Sequence, residues 1–311
     1  MHILVSMPTE QRDHAERWRT ALMQRLPSAD ISVYSSGEVP RNVDYVVTWK
    51  PDADLMSRLT GLRAVFTASA GVDAILAQAD LPDCPIVRLL DAGMGDQMAD
   101  YALFAGLYLQ RGFDRMREAQ AEARWAPALG AARDRPVVGI LGLGTLGSVV
   151  AARLVANGFP VRGWSRTART VPELSCFHGL DGLDDFLAGT ELLFCLLPLT
   201  PQTRHLIDRR RLEALPRGAA VVNVARGPVV NEVDLLAALD SGHVRCALLD
   251  VFATEPLPPD NPLWQHPRVV ITPHVAAATL IEPSADSVVA DMARLERGDT
   301  PRGLVDRARG Y

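Results

Sequence analysis

A chain of 311 residues is longer than a single hydrophobic core usually grows, so two domains are expected. Its 48% hydrophobic and 22% charged residues form an ordinary globular composition, which argues against long disorder, collagen-like sequence and coiled coils. A formal net charge of -5 gives no general attraction to nucleic acid or to anionic membranes, so neither is an expected partner.

The N-terminus and the cysteines favour a cytoplasmic protein. The apolar run at 2–7 turns polar at Thr9 and is too short for a signal peptide, and no stretch reaches the length that a membrane helix needs. The cysteines lie far apart and form no C-x-x-C pair, so neither a disulfide scaffold nor a metal site is expected. Reduced thiols in the cytoplasm are the simplest interpretation.

Short β-rich runs recur in the first part of the chain, with helix-like or loop segments between them. They lie at 2–7, 31–34, 45–49, 64–68 and 86–90. Strands that alternate with helices predict a parallel sheet covered on both faces. A long, largely buried helix is predicted at 98–120, where apolar residues recur at three- and four-residue spacing, and the domains are expected to join there.

The pattern restarts with an apolar strand at 137–141, a glycine turn and a helix at 146–157 that enters a second strand. Further strands are predicted at 192–197, 219–224, 246–249 and 269–272, with helices at 203–214 and 232–240. This order is typical of a dinucleotide-binding sheet. The tail is predicted to be a helix from 283 to about 297, followed by a polar end that could pack on the first domain.

The glycine turn carries the motif G-x-G-x-x-G between that strand and helix. Its residues are Gly142, Leu143, Gly144, Thr145, Leu146 and Gly147. The glycines of this motif allow a tight turn and a close approach of the backbone to pyrophosphate, while the helix N–H groups face the anion. The motif alone is weak, and a glycine turn without a ligand is the alternative, but the flanking strand and helix favour a dinucleotide site.

The end of the second strand indicates which nicotinamide cofactor is preferred. An NAD enzyme usually carries an acid there for the ribose 2'-hydroxyl. This chain instead has Ser165, Arg166 and Thr167, with Arg169 close behind. A cation and hydroxyls suit a 2'-phosphate, so NADPH is expected to be preferred over NADH. The alternative is that Arg166 is an ordinary solvated surface charge.

Arg226, Glu255 and His274 each follow a proposed strand, at the edge of a parallel sheet where ligands bind. Reduction of a 2-keto acid requires a cation for the carboxylate, a proton donor for the carbonyl oxygen and a group that keeps the donor protonated. Arg, His and Glu meet these needs respectively. Considered singly, each residue could instead turn the chain or face solvent, and only their shared placement favours catalysis.

Several longer motifs make the chain resemble the D-isomer-specific 2-hydroxyacid dehydrogenase family. They are the glycine motif, Asn223-Val224-Ala225-Arg226-Gly227, Leu249-Asp250-Val251-Phe252, Glu255-Pro256-Leu257 and Thr272-Pro273-His274. Within the family, the segment at 91–98, Trp164-Ser165-Arg166 and the closing segment at 305–311 most resemble the glyoxylate and hydroxypyruvate reductases.

The resemblance implies an α/β protein of two Rossmann-like domains, in which a doubly wound dinucleotide-binding domain is inserted in a flavodoxin-like substrate domain. The expected bounds are 1–98 with 284–311 for the substrate domain and 99–283 for the NADP-binding domain. It also implies a homodimer, with the long helix after Met98 as a plausible contact.

Roles for individual residues follow from the same resemblance. Arg226 holds the 2-keto acid, His274 gives a proton to the carbonyl oxygen and Glu255 stabilises the imidazolium. Cofactor contacts are completed by Leu197, Pro198, Thr203, Val224, Ala225 and Asp250, although a locally paired structural role for Asp250 is an open alternative. The backbone of Ala70, Gly71 and Val72 is expected to face the substrate carboxylate. Trp49 would wall the pocket or simply pack in the core, and Lys50 would assist an anionic substrate or face water.

The expected activity is therefore NADPH-dependent reduction of glyoxylate or hydroxypyruvate to glycolate or D-glycerate. One alternative is another 2-keto acid, such as phenylpyruvate, reduced by the same chemistry. A different class of function is a nucleotide-sensing interaction module, as in the corepressors that share this fold. The absence of long disordered extensions in the sequence favours an enzyme.

Overall fold

The computed structural model describes residues 1–34, 37, 39–51, 53–78, 80–127 and 134–311. It divides into two compact units: Met1–Met94 with Thr279–Tyr311, and Gly95–Ala278. The second unit is thus inserted in the sequence of the first. The chain passes from one unit to the other after Met94 and returns after Ala278, in both cases a few residues before the expected bounds at 98/99 and 283/284. The reason is that the helix that opens the second unit begins at Met94 and the helix of the returning chain begins at Ile281.

A parallel sheet forms the centre of the first unit, with the strand order β2-β1-β3-β4-β5. This is the flavodoxin-like order. The strands are β1 His2–Ser6, β2 Asp30–Tyr34, β3 Tyr45–Thr48, β4 Ala64–Thr67 and β5 Ile86–Val87. Its helices are α1 Arg12–Arg25, α2 Ala53–Arg58, α3 Asp73–Leu76 and α10 Ile281–Glu296. β3 and β4 are buried throughout, as expected for a sheet covered on both faces.

The returning chain is fixed to the first unit by charge and by sheet pairing. Arg25 on α1 bonds Glu282 at 2.8 Å and Asp286 at 2.6 Å, both on α10. Further on, Leu304 forms an antiparallel bridge with Val87 of β5. The C-terminal tail therefore packs on the first domain, as the sequence suggested.

A second parallel sheet runs β12-β11-β10-β9-β6-β7-β8 through the other unit. Its strands are β6 Val138–Leu141, β7 Val161–Ser165, β8 Ser175–His178, β9 Leu192–Cys195, β10 Ala219–Asn223, β11 Val244–Leu249 and β12 Val269–Ile271. The helices are α4 Met94–Gln110, α5 Phe113–Ala121, α6 Thr145–Ala156, α7 Leu183–Ala188, α8 Arg209–Glu213 and α9 Glu232–Asp240. Because the strand order reverses at β6, its carboxyl end is the switch point where dinucleotides bind in doubly wound sheets. The expected fold class is confirmed.

Several elements differ from the sequence predictions, and three of the differences have a clear local cause. The predicted helix at 98–120 is divided into α4 and α5, because Gly112 between them takes a left-handed conformation with φ 70°. The predicted helix at 203–214 is shortened to α8, which Asp208 caps by accepting from the Arg211 amide. Strand β8 was not predicted, since its sequence Ser-Cys-Phe-His lacks an apolar run and it pairs with β7 at the sheet edge.

None of the helices in the described ranges combines the length and the apolar character required to cross a membrane.

Candidate active site

The glycine turn lies at the carboxyl end of β6 and is fixed to the neighbouring strands. The amides of Gly142 and Leu143 donate to the carbonyl of Trp164 on β7, at 2.9 and 3.2 Å. On the other side, a Cβ on Gly142 would lie 3.0 Å from the Leu196 backbone that follows β9. The turn therefore occupies the point where the strand order reverses.

The three motif glycines are needed for different reasons. Gly142 has φ +120°, a backbone conformation that residues with a side chain rarely adopt. A Cβ on Gly147 would collide with the Gly142 carbonyl oxygen. At Gly144 the backbone is ordinary, and an added Cβ would meet nothing within 4 Å. The protein's own packing thus explains Gly142 and Gly147 but leaves Gly144 open to an approaching ligand.

Helix α6 begins beside this open position, at Thr145 and Leu146. Gly144 is its N-cap residue, so no side chain caps the first N–H groups. Exposed N–H groups at a helix N-terminus attract anions, and they do so more strongly where the backbone can approach closely. The turn therefore fits the pyrophosphate of a dinucleotide.

The end of β7 places Ser165, Arg166 and Thr167 next to the glycine turn. Ser165 is buried, and its hydroxyl donates to the Thr167 carbonyl at 2.7 Å. A hydroxyl has one hydrogen to donate, so Ser165 shapes this bend, whereas Arg166 and Thr167 are exposed. Arg169 donates to the Leu143 carbonyl at 3.0 Å, which ties the bend back to the glycine turn.

Two further loops follow β9 and β10 at the same edge of the sheet. After β9, Leu197 is buried, and the Thr203 hydroxyl donates to the Pro198 carbonyl at 2.7 Å while accepting from the Thr200 amide at 2.8 Å. These bonds make a turn that ends at Thr203, the first residue of the predicted helix at 203–214. After β10, Val224 and Ala225 are buried and lead into Arg226.

Arg226 is positioned by the buried side chain of Asn223 and by the close packing of Gly227. The side chain of Asn223, at the end of β10, donates to the Arg226 carbonyl at 3.0 Å and accepts from the Ala225 amide at 3.3 Å. A Cβ on the next residue, Gly227, would collide with the backbone of Phe252, so this loop packs directly against the one that carries Glu255.

Glu255 and His274 form a hydrogen-bonded pair. His274 Nδ1 lies 2.7 Å from Glu255 Oε2, and the Phe252 amide donates to Glu255 Oε1 at 3.0 Å. Both carboxylate oxygens of Glu255 thus have a hydrogen-bond partner, and Nε2 of the His274 imidazole is the ring nitrogen that remains for another partner. The His274 side chain is 45% exposed, so that partner can come from solvent.

The charge on Glu255 is favoured by its neighbours. Burial alone would raise the pKa of Glu255, but hydrogen bonds from His274 and the Phe252 amide, with the charges of His274 and Arg226, bring that pKa below its ordinary value. The carboxylate is therefore ionised at neutral pH. A fixed anion at Nδ1 holds the ring orientation and stabilises a proton on the imidazole.

Asp250 is buried and bonded within the protein. Its Oδ1 accepts from Thr272 Oγ1 at 2.5 Å and from the Val275 amide at 2.9 Å, and its Oδ2 accepts from the Ala276 amide at 2.9 Å. These bonds support the local structural role that the sequence left open for Asp250, because they direct both carboxylate oxygens toward the loop that carries His274.

The first unit carries the remaining predicted residues. Trp49 is half-buried, and the exposed Lys50 places its ammonium 4.8 Å from the indole centroid. The loop after β4 is shaped by Thr67, which donates to the Ser69 carbonyl, and by Ser69, which donates to the Gly71 carbonyl, both at 2.7 Å. Among the described residues none accepts from the amides of Ala70, Gly71 or Val72, so these amides are available to an anion.

The cysteines near this sheet are not candidate nucleophiles. Burial raises the pKa of Cys195 and of Cys246 to about 12. Both side chains remain neutral thiols, and the thiolate is the reactive form. Across the described residues, no group of His, Cys, Asp and Glu side chains is arranged to hold a metal ion.

Sequence reasoning missed several residues that organise the site. Asn223 positions Arg226. Arg169, which the sequence offered only as a cation near the cofactor phosphate, also donates to a carbonyl of the glycine turn. Tyr101 on α4 lies 2.9 Å from the Thr272 hydroxyl. The position of Asn223 at the end of a buried strand was a usable signal, whereas Tyr101 lies 171 residues from its partner and carried none.

Comparison with known proteins places the chain in a family. A family model described as D-isomer specific 2-hydroxyacid dehydrogenase, NAD binding domain, matches residues 103–276. A D-isomer specific 2-hydroxyacid dehydrogenase from Xanthobacter autotrophicus Py2, solved with NADPH and MES, is 42% identical, with a TM-score of 0.92 over 99% of both chains.

Two further solved structures cover the whole of this chain and 99% of their own. An NADPH-dependent glyoxylate/hydroxypyruvate reductase from Sinorhizobium meliloti, solved with NADP and sulfate, is 32% identical with a TM-score of 0.88. A probable 2-hydroxyacid dehydrogenase from Rhizobium etli CFN 42, solved with NADP, HEPES and L(+)-tartaric acid, is 33% identical with a TM-score of 0.88. The chain belongs to the D-isomer specific 2-hydroxyacid dehydrogenase family of NAD(P)-dependent oxidoreductases.

Proposed function

We propose that this enzyme reduces small 2-keto acids with NADPH, with glyoxylate and hydroxypyruvate as its substrates. The observation that carries the proposal is the bonded pair of His274 and Glu255, with Arg226 on the adjoining loop. A proton donor, an anion that stabilises its charged form and a cation for a carboxylate are the groups that this reaction requires.

His274 is the proposed proton donor to the carbonyl oxygen. Its Nδ1 is bonded to Glu255, so Nε2 is the atom that faces the substrate. As the proton leaves Nε2, Glu255 keeps the ring oriented through Nδ1. Arg226 binds the substrate carboxylate and orients the carbonyl group. Bound NADPH supplies the hydride that the carbonyl carbon receives, and the product is the 2-hydroxy acid.

The cofactor preference is proposed from the end of β7. Arg166 and Thr167 are exposed beside the glycine turn, where a guanidinium and a hydroxyl suit the 2'-phosphate of NADPH. An acid for the ribose 2'-hydroxyl of NAD is missing from residues 165–167. The Xanthobacter, Sinorhizobium and Rhizobium structures hold NADPH or NADP, which supports the same preference.

In the first unit, we expect the amides of Ala70, Gly71 and Val72 to bind the carboxylate of the 2-keto acid. The support is that these consecutive N–H groups have no acceptor among the described residues. Successive free amides in a turn form a site for an anion. Trp49 is proposed to limit the size of the substrate.

We also propose that the enzyme is a homodimer that uses the exposed face of α4 and the residues after it. Phe104, Leu107 and Phe113 expose between 39% and 49% of their surface, and Trp125 exposes 95%. Large apolar side chains that stand together on a surface mark a protein interface.

A panel of substrates tests the proposed reaction. The rates of NADPH and NADH oxidation are measured with glyoxylate, hydroxypyruvate, pyruvate and phenylpyruvate under matched conditions. We expect the highest kcat/KM with NADPH and either glyoxylate or hydroxypyruvate. A higher value with phenylpyruvate would replace the substrate assignment. Tight NADPH binding without turnover of any 2-keto acid would instead favour a nucleotide-sensing module.

A further inference from the structure

We infer that Tyr101 and Thr272 are positioning residues for His274, which they hold through the carboxylate of Asp250. The effect on turnover rests on the proposed function, whereas the effect on the loop does not. The relevant contacts all lie within the second unit. The loop concerned is Thr272–Ala276, called the histidine loop below.

Asp250 holds successive amides of the histidine loop. Its backbone carbonyl accepts from the His274 amide at 2.8 Å, and its side chain accepts from the Val275 and Ala276 amides, both at 2.9 Å. His274 has φ 55°, a left-handed conformation that is unfavourable for a residue with a side chain. Such a conformation persists only where surrounding bonds determine it, and here Asp250 supplies those bonds.

Thr272 fixes the position of the Asp250 carboxylate. Its hydroxyl donates to Asp250 Oδ1 at 2.5 Å. Because a hydroxyl has a single hydrogen, Thr272 Oγ1 can then only accept from the Tyr101 hydroxyl, which lies 2.9 Å away. The bonds therefore run in one direction, from Tyr101 to Thr272 to Asp250, and the carboxylate accepts all of its partners.

Helix α4 gives Tyr101 a rigid base. Ala99, Ala102 and Ala105 are buried on the face of α4 that packs on the second unit's core. One turn before Tyr101, the Gln97 side chain donates from Nε2 to the Ala278 carbonyl at 3.0 Å and accepts at Oε1 from the Ala278 backbone amide at 3.1 Å. The chain around His274 is thus bonded to α4 both at Thr272 and just beyond the histidine loop.

The test uses substitutions that remove one hydroxyl each. Tyr101→Phe removes the first donor, Thr272→Val removes the hydroxyl between the two partners, and Thr272→Ser restores it. Tyr108→Phe is the matched control, since Tyr108 lies on the same helix and its ring packs beside those of Phe104 and Phe113. All variants are compared with the full-length wild-type protein.

Hydrogen exchange of the histidine loop gives a readout that needs no activity. We expect the amides of His274, Val275 and Ala276 to exchange about 3- to 10-fold faster in Tyr101→Phe, and more in Thr272→Val, than in the wild type. Thr272→Ser and Tyr108→Phe should leave exchange unchanged. Equal exchange in wild type, Tyr101→Phe and Thr272→Val would overturn the inference.

Kinetics then connect the loop to turnover. A displacement of about 1 Å at a reacting group can cost up to about 100-fold in rate, so Thr272→Val should lower kcat by about 10- to 100-fold while the Kd of NADPH is kept. Thr272→Ser should restore kcat. An unchanged kcat in Thr272→Val despite faster exchange would contradict the link to catalysis. Absence of turnover in the wild type would instead refute the proposed function, and the exchange result would still decide the inference.

Discussion

At the scale of single residues, Glu255 is ionised at neutral pH beside His274, the proposed proton donor. The bonds from His274 and the Phe252 amide lower the pKa of Glu255 despite its partial burial. The carboxylate is therefore charged at neutral pH beside Nδ1 of His274, as the proposed role of His274 as proton donor requires.

Glu255→Gln tests the role of this charge. The glutamine keeps the size of the side chain and removes the charge, so the imidazolium loses its stabilising anion. We expect a kcat lower by roughly 10-fold or more, because positioned acid–base groups contribute about 10²- to 10⁴-fold. A kcat equal to that of the wild type would contradict the role of Glu255.

The same pKa shift predicts how folding stability depends on pH. The native state keeps Glu255 ionised at a lower pH than the unfolded chain does, so the contribution to stability is present above the ordinary glutamate pKa of about 4.3. It is lost as the pH falls through the lowered pKa. Urea unfolding should therefore show a wild-type advantage over Glu255→Gln that shrinks on acidification, and a constant difference would be inconsistent with it.

Arg166→Asp tests the cofactor preference at the end of β7. The substitution removes the proposed partner of the 2'-phosphate and adds an acid able to bond a ribose 2'-hydroxyl. We expect the ratio of kcat/KM for NADPH over NADH to fall by at least about 10-fold, since a charge-assisted contact contributes about 1.5–3 kcal/mol. An unchanged ratio would mean that Arg166 is only a surface charge. Thr167→Ala provides a milder comparison at the neighbouring residue.

At the scale of elements, the motif glycines divide into two that the fold requires and one, Gly144, that the fold leaves open. A Cβ on Gly147 meets the Gly142 carbonyl oxygen, whereas a Cβ on Gly144 meets nothing within 4 Å. Gly147→Ala should destabilise the protein by about 1–3 kcal/mol. Gly144→Asn keeps a favoured N-cap residue, so its stability should stay within about 0.5 kcal/mol while NADPH binding weakens.

Thermal unfolding and NADPH titration measure these two effects separately. The pair of variants is informative because both alter the same turn. If Gly144→Asn binds NADPH as tightly as the wild type, the cofactor does not approach this turn.

The elements that sequence reasoning found are those with a strong local signal. Strands β9 and β10 are fully buried apolar runs, and the glycine turn stands between a strand and a helix. β8 was not predicted, because an edge strand need not bury both of its faces and therefore need not be an apolar run. The division of the predicted 98–120 helix depends on one left-handed residue, Gly112, and a glycine within an apolar pattern does not reveal its conformation.

The site was predictable to a similar degree. The sequence indicated Arg226, Glu255 and His274 because each follows a predicted strand, and the structure places His274 Nδ1 2.7 Å from Glu255 Oε2. It could not indicate that Ser165 bonds within its own bend or that Tyr101 reaches Thr272. These contacts depend on side-chain direction and on the packing of α4, neither of which follows from spacing along the chain.

At the scale of the whole molecule, the proposed dimer is testable by its mass in solution. Leu107 lies on the exposed face of α4 with 39% of its surface exposed. Leu107→Glu places a charge in the proposed interface, where an unpaired buried charge is strongly unfavourable. We expect light scattering after size exclusion to show a dimer for the wild type and a monomer for this variant.

Leu180→Glu is the matched control, because Leu180 is 64% exposed and lies outside the proposed interface. It should remain dimeric. A monomeric wild type would refute the proposed dimer directly. Dissociation of both variants would show that the dimer does not depend specifically on the exposed face of α4.

The proposed reaction depends on His274 as the proton donor, and His274→Asn tests this role most directly. Asparagine tolerates the left-handed conformation that His274 adopts at φ 55°, but its amide group is not acidic and cannot transfer a proton to the substrate at neutral pH. The measurement is steady-state NADPH oxidation with glyoxylate, together with the Kd of NADPH. We predict a loss of kcat of about 10²- to 10⁴-fold with the Kd of NADPH nearly unchanged. A kcat close to that of the wild type would contradict the account.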